Sequence, residues 1–408
     1  MHIIVQKFGG TSLSCPEARS SAIRHIEHEL EQSHKVVVVV SAMGRKGEPY
    51  ATDTLLELIE HSGGTLPARE RDMLLGCGEM ISAALLCSLL VGRGIAAVAL
   101  TGGQAGIVTN NHHGNARIVS IKPDRIIKLL GDHPVVIVTG FQGITADGDL
   151  TTLGRGGSDT SATALGRAIQ AKKVDIFTDV SGVFTADPRI VMNARPLHRV
   201  SYNEVCQMAQ SGAKVIHPRA VEIAMAAHVP LRVRSTFSDD EGTWVGDVHS
   251  SDERQVSDLV VTGIACSGSV TQIEVHSQEA NFDLHLDVFR MMAEQHISVD
   301  FINMNPSGVV YTVYASDETR AVSLLRDRGY EHNVLGGCAK VSVIGGGMNG
   351  VPGIMAVIVE TLTAKDISIL QSADSNTTIW VLVRQTQMAE AVNALHEAFH
   401  LGDRVLSR

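Results

Sequence analysis

The chain has 408 residues, of which 44% are hydrophobic and 19% charged, and a formal net charge of −10. That length exceeds one ordinary core, so two or three domains are expected, and the composition is that of a globular protein. The acidic balance, with no run of Lys and Arg, excludes a surface for wrapping nucleic acid; any anionic ligand must be held by a local cluster of cations.

The chain enters a strand pattern at once, His2–Gln6, without a charged leader or a small-residue cleavage site, so export is not expected. Further strands are predicted at Lys35–Val40, Ile95–Leu100, Val135–Thr139 and Val174–Thr178. Apolar on both faces, they imply a largely parallel sheet between helix layers. A helix is predicted over Pro16–Gln32, with Ser14 and Glu17 three apart as a capping box. The apolar stretch Ile81–Val91 is about half of what a bilayer requires and reads as a buried helix. Six cysteines, at 15, 77, 87, 206, 266 and 338, have no zinc-like spacing and read as buried thiols in a reducing cytoplasm.

Several glycine-bearing segments carry candidate chemistry. Lys7-Phe8-Gly9-Gly10-Thr11-Ser12 ends the first strand, where paired glycines, a following helix and a lysine suit a phosphate; the alternative is a structural turn. Ser41-Ala42-Met43-Gly44 closes the valine strand, and Gly76-Cys77-Gly78-Glu79 interrupts a helical run. Glu79 there is either a receptor for an ammonium group or an exposed helix carboxylate. His112 and His113 lie in a polar loop and read as solvated imidazoles rather than metal ligands.

Thr151 to Asp159, Thr-Thr-Leu-Gly-Arg-Gly-Gly-Ser-Asp, precedes a small-residue helix at Thr160–Ala171. Arg155 offers a planar fork for a carboxylate, Gly156, Gly157 and Ser158 offer backbone donors, and Asp159 sits in the first turn. Thr178 to Arg189 opens from a strand's carboxyl end, where α/β sheets bind ligands; Asp179 suits a nucleoside and Arg189 a phosphate. Gly212-Ala213-Lys214-Val215 adds a cation.

Ser235–Asp258 is polar and acidic, marking a boundary. Beyond it a repeat recurs at an offset of 70 residues: Ile297-Ser298-Val299 with Ile367-Ser368-Ile369, Val313 with Val383, Ala321-Val322 with Ala391-Val392, Leu325 with Leu395. Each copy reads strand, helix, two strands, helix, the ferredoxin-like order.

Together KFGGTS, SAMG, TTLGRGGSD, TDVSGVFTADPR and GAKVIHP, in this order, resemble the aspartate kinases of the amino-acid kinase superfamily, which end in two ACT domains. The resemblance implies an α/β amino-acid-kinase sandwich over 1–240, a linker at 241–260, and βαββαβ ACT modules at 261–335 and 336–408, a strand near 259–266 being open to sharing. It implies ATP-dependent phosphorylation of L-aspartate to 4-phospho-L-aspartate, in lysine, diaminopimelate, threonine and methionine biosynthesis, with MgATP and no certain protein ligand to the metal.

By position, Lys7, Arg155 and Asp159 would be catalytic. Lys7, Phe8, Gly9, Gly10, Thr178, Asp179, Phe184, Thr185, Asp187, Arg189, Lys214 and Val215 would surround ATP, and Ser41, Thr52, Glu79, Arg155, Gly156, Gly157 and Ser158 the aspartate. Phe184 departs from the tyrosine of many members, losing a hydroxyl and keeping apolar packing. Asn349, Gly350, Val351, Pro352 and Gln371 would meet an effector (lysine, threonine or diaminopimelate). A cytoplasmic homo-oligomer, a dimer or dimer of dimers, without nucleic-acid or membrane partners, is expected. A glutamate, N-acetylglutamate or UMP kinase is disfavoured by the tandem repeat and by TTLGRGGSD. A non-catalytic sensor would lack Lys7, Arg155 or Asp159, and all are present.

Overall fold

A computed structural model describes residues 2–61, 63–213, 215–247, 260–276 and 282–402. The chain divides into two units: Met1–Val183 with Pro196–Ala209 and Lys214–Gln255, and Phe184–Arg195 with Gln210–Ala213 and Val256–Arg408.

The first unit runs β1 (Ile3–Phe8), α1 (Gly10–Leu13), α2 (Pro16–Glu31), β2 (Lys35–Val40), α3 (Thr52–His61), α4 (Ala68–Gly92), β3 (Ala97–Leu100), β4 (Ile107–Thr109), β5 (Ile118–Ile121), α5 (Asp124–Asp132), β6 (Val135–Thr139), β7 (Gln142–Ile144), β8 (Leu150–Thr152), α6 (Gly157–Ala168), β9 (Lys173–Thr178), β10 (Arg199–Ser201), α7 (Tyr202–Gln210), α8 (Pro218–Ala226), β11 (Leu231–Ser235) and β12 (Thr243–Gly246). The main sheet has the order β10-β12-β11-β9-β1-β2-β6-β3, and only β11 and β12 pair antiparallel within it. A small sheet, β5-β4-β7-β8, stands apart from it.

The valine run explains the layering. Val36, Val38 and Val40 pack with Ile23 and Ile26 of α2 and with Leu86 and Leu90 of α4. The opposite face meets α6, where Gly166 approaches so closely that a Cβ would lie 2.4 Å from Val174. A sheet covered on both sides follows, as the doubly apolar strands predict.

Four expectations need correction. The α2 cap is Cys15, whose Sγ accepts from the Ala18 N–H with Pro16 in the first turn, while Ser14 donates to the Thr11 carbonyl instead. The glycines at 76 and 78 do not interrupt α4, because they serve close packing: a Cβ at Gly78 would lie 2.7 Å from that of Ala42. So α4 is a single 25-residue helix, long and apolar enough to cross a membrane by length and composition; it is only partly buried, with Met73 and Val91 exposed. The expected linker opens with β12, where Thr243 and Val245 are buried in the main sheet; its remainder at 248–259 lies outside the described residues. Cys15, at the cap before α2, and Cys77, on the outward side of α4, are exposed, and Cys338 is buried.

The second unit contains β13 (Gly263–His276), α9 (Phe282–Glu294), β14 (Asp300–Asn305), β15 (Gly308–Tyr314), α10 (Glu318–Asp327), β16 (His332–Ile344), α11 (Ile354–Thr363), β17 (Gln371–Asp374), β18 (Thr378–Arg384) and α12 (Met388–Ala398). They form one sheet, β14-β15-β13-β16-β18-β17. The offset of 70 recurs in structure: β15 maps onto β18, the buried Ile297 onto Ile367, and His296 onto Asp366, each with φ of 54° in the tight turn after its helix. The two long strands serve both copies. The first half of β13 pairs with Lys340–Ile344 and the second half with β15 and with the start of β16. The division at 335/336 thus falls inside β16.

Candidate active site

In the first unit the carboxyl ends of β1, β2, β6 and β9 lie side by side, so the loops that follow them are neighbours. Lys7 is near the end of β1, between Val39 of β2 and Ile176 of β9. Its ammonium reaches back over Gly9, where an added Cβ would lie 3.4 Å from it. Gly10 is enclosed by the Ser41–Gly44 loop: a Cβ there would lie 2.7 Å from both the Ala42 and Gly44 carbonyl oxygens. Gly10 is therefore required by close backbone approach, whereas a Cβ at Gly9 would make only ordinary contacts, and the helix after them is the short α1.

Asp159, in the first turn of α6, lies 2.7 Å from Lys7 Nζ through Oδ1. The contact is an ion pair without hydrogen-bond alignment, because Oδ1 is buried with no hydrogen-bond partner among the described residues. Its other oxygen accepts from the His217 N–H at 3.3 Å. Gly156 precedes α6 with φ of 66°, and a Cβ on it would lie 2.1 Å from the His217 ring, so glycine alone fits. This left-handed cap starts the helix three residues earlier than predicted and places Ser158 and Asp159, each 8% exposed, in its first turn. Arg155 is exposed immediately before them.

Glu79 is 2% exposed, which rejects the exposed-carboxylate reading. One oxygen accepts from the Ala42 N–H at 3.0 Å and the other has no partner among the described residues. Burial raises its pKa to about 8, against the opposing effect of that N–H. Ser41 is half-buried in the same loop, and Thr52 begins α3. At the end of β9, Thr178 donates to Asp179, which is exposed and ion-paired with Arg45 at 2.6 Å.

Phe184, Thr185, Asp187 and Arg189 belong to the second unit, whose core includes Ala186 and Val191. The Thr185 hydroxyl accepts from the Arg195 N–H and lies 2.9 Å from His396 Nε2, while its carbonyl accepts from Ile264 N. Arg189 is exposed and chelates Asp187 at 2.7 Å. Val215 is half-buried, and Lys214 lies outside the described residues. In the second copy, Asn349 to Pro352 are exposed before α11, with Gly350 and Gly353 at φ of 77° and 95°. Gln371 accepts from Gln272 and donates to the Phe301 carbonyl.

Sequence reasoning missed Asp72, which is 0% exposed on α4. Its carboxylate accepts from the Thr152 N–H and hydroxyl, from Gly114 N, and meets His113 Nδ1 at 3.1 Å. His113 is therefore not the solvated imidazole expected. The signal was available: Asp72 and Glu79 are seven apart, two turns of one helix, and so share a face. The face is used to anchor the loop before Arg155 at one end and the Ser41 loop at the other.

Comparison with known proteins bears on the family and the fold. The profile of the Amino acid kinase family matches residues 2–235, and that of the ACT domain residues 334–397. Aspartokinase 1 of Bacillus subtilis is 54% identical over 402 residues, covering 98% of this chain and 100% of that protein. The chain belongs to the aspartokinase family. A second aspartokinase, from Geobacillus stearothermophilus, is 42% identical over 99% of the chain and 98% of its own length. The fold agrees with E. coli aspartokinase III in complex with aspartate and ADP, at 25% identity and a TM-score of 0.80 over 97% of this chain and 99% of that one. The same aspartokinase in complex with lysine and aspartate, called its T-state, gives a TM-score of 0.77 over 97% of this chain.

Proposed function

We propose that this chain transfers the γ-phosphoryl group of ATP to the side-chain carboxylate of L-aspartate, giving 4-phospho-L-aspartate and ADP. The observation that carries the reading is the Lys7–Asp159 pair, 2.7 Å apart, beside the N-terminus of α6 and the Arg155 loop. The aspartate- and ADP-bound relative supports both substrates.

The acceptor carboxylate is ionised at neutral pH, so no general base is required. What remains is alignment and charge neutralisation, the usual content of phosphoryl transfer. In this reading the loop at Gly9 and Gly10 approaches the phosphates, and Lys7, held by Asp159, neutralises charge on the transferring group. Arg155 grips the α-carboxylate, with Ser158 and the backbone of Gly156 and Gly157 beside it. Glu79 receives the ammonium group from a buried position, with Ser41 and Thr52 lining the same side. Phe8, Thr178, Asp179, Phe184, Thr185, Asp187, Arg189, Lys214 and Val215 are the proposed nucleotide residues.

Magnesium fits as a passenger on the nucleotide. Among the described residues no three His, Cys, Asp or Glu side chains gather into a metal cage, and Asp159 Oδ1 is already ion-paired with Lys7, so the nucleotide phosphates would hold the ion. Carried in on the nucleotide, the ion would neutralise phosphate charge.

The reaction would open a cytoplasmic route to lysine, diaminopimelate, threonine and methionine. The proposed division keeps limits near 1–240, 241–260, 261–335 and 336–408, with β12 carried by the first domain and β16 shared by the two ACT modules, which bind an amino-acid effector at Asn349 to Pro352 and Gln371 in a homo-oligomer. The lysine-bound relative supports an effector of that class.

With MgATP, L-aspartate and hydroxylamine, the purified chain is expected to accumulate aspartyl hydroxamate. Lys7→Ala should lower that rate by roughly a hundredfold, the scale of losing one preorganised donor to a developing charge. Equal product from glutamate, or an unimpaired Lys7→Ala variant with native circular dichroism, would count against the reading.

A further inference from the structure

A second cluster of cations lies behind the Arg155 loop. A cleft of about 370 Å³ in the first unit is lined by Gly114, Asn115, Arg117, Gly154, Arg155, His217 and Arg219. That volume is at the small end of ligand pockets, suited to a compact metabolite. Three guanidinium groups face it, and none of them is ion-paired with a carboxylate among the described residues.

Structural bonds do not account for so much positive charge. Arg219 is fixed by donating to the Leu153 and Ala116 carbonyl oxygens at 3.1 and 3.2 Å, both neutral acceptors. Burial holds its pKa below the ordinary value, and the nearby Arg117 depresses it further, opposed by Glu222. Like charges are thus kept together at a cost that an anion would relieve. The start of α8 adds to the field: His217 caps it, its Nδ1 accepting from the Arg219 N–H, which leaves Nε2 as the donor of the neutral ring.

The floor is also fixed. Gly154 has φ of 73°, and a Cβ there would lie 2.9 Å from Asn115 Oδ1. Asp72 bonds Gly114 N and Thr152 N, holding both rims from behind. The Arg219 guanidinium is thus preformed, and guanidinium forks match planar carboxylates and phosphoryl groups.

We propose that this cleft binds a small oxyanion-bearing metabolite, phosphoryl or carboxylate, beside the aspartate site and sharing Arg155 with it. The sharing rests on the assignment of Arg155 to the aspartate α-carboxylate; the binding does not. Occupancy withdraws Arg155 from aspartate, so the two ligands compete.

Isothermal titration of the full chain with selenate and, separately, malonate tests this, the first probe standing for phosphoryl and the second for dicarboxylate ligands. At least one is expected to bind, about tenfold more weakly in Arg117→Gln and undiminished in Lys7→Ala, whose side chain does not line the cleft. Added aspartate should weaken binding in the unsubstituted chain. Affinity unchanged in Arg117→Gln, binding abolished by Lys7→Ala, or no binding of either probe at millimolar concentration overturns the cleft. Indifference to aspartate overturns the sharing of Arg155. Because these readings need no turnover, they fail separately from the hydroxamate assay.

Discussion

Glu79 is the residue whose chemistry depends most on its setting. Buried against the Ala42 N–H with one oxygen unpartnered, it titrates near pH 8. Its folded pKa lies above the unfolded value of 4.5, so the protonated form stabilises the free protein at low pH, and that contribution is lost as pH rises through about 8. Within the window the loss is about 1.4 kcal/mol for each pH unit. A bound ammonium group would reverse the preference and favour the carboxylate. Aspartate should therefore bind more tightly as pH rises from 6 to 8, and KM measured across that range should fall. In Glu79→Gln the slope should vanish; a slope that survives would assign the titration to another group. From sequence the residue was legible as a candidate only, since spacing reveals a helix face but not the depth at which it lies.

At the scale of elements, glycine was informative and its meaning was misread. Paired glycines at 76 and 78 suggested a break, yet a helix tolerates them when neighbours need the space, as Ala42 does at Gly78 and the Leu150 and Gln142 side chains do at Gly76. At Gly156 the demand is conformational as well as steric. Gly156→Ala would force a Cβ into the His217 ring at a left-handed φ, and a loss of roughly 2 kcal/mol or more is expected in urea unfolding. A change within 0.5 kcal/mol would mean that the loop relaxes freely. Strand positions were readable because both-face burial leaves continuous valine runs. The Cys15 cap was not, because a thiol is a weak acceptor seldom used for that purpose.

For the molecule as a whole, the sequence revealed two catalytic-to-regulatory segments in the right order, and the repeat was visible because corresponding core positions carry the same apolar residues. It could not reveal that 184–195 leaves the first unit to pack in the core of the second, since that depends on non-local contacts of Ala186 and Val191. If the exposed loop before α11 receives an effector, Val351→Asp should oppose its carboxylate and raise the concentration for half-inhibition about tenfold, measured with lysine, threonine and diaminopimelate in turn. An inhibition curve unmoved for every inhibitory amino acid would place the effector elsewhere.

The long strands β13 and β16 have an implication for inheritance. Each is spliced from halves that complete different copies, so deleting either copy at the genetic level strips hydrogen-bonding edges from the survivor. A duplication that began as two separable pieces has become a single cooperative object. Its halves can diverge in ligand preference, but neither can be discarded.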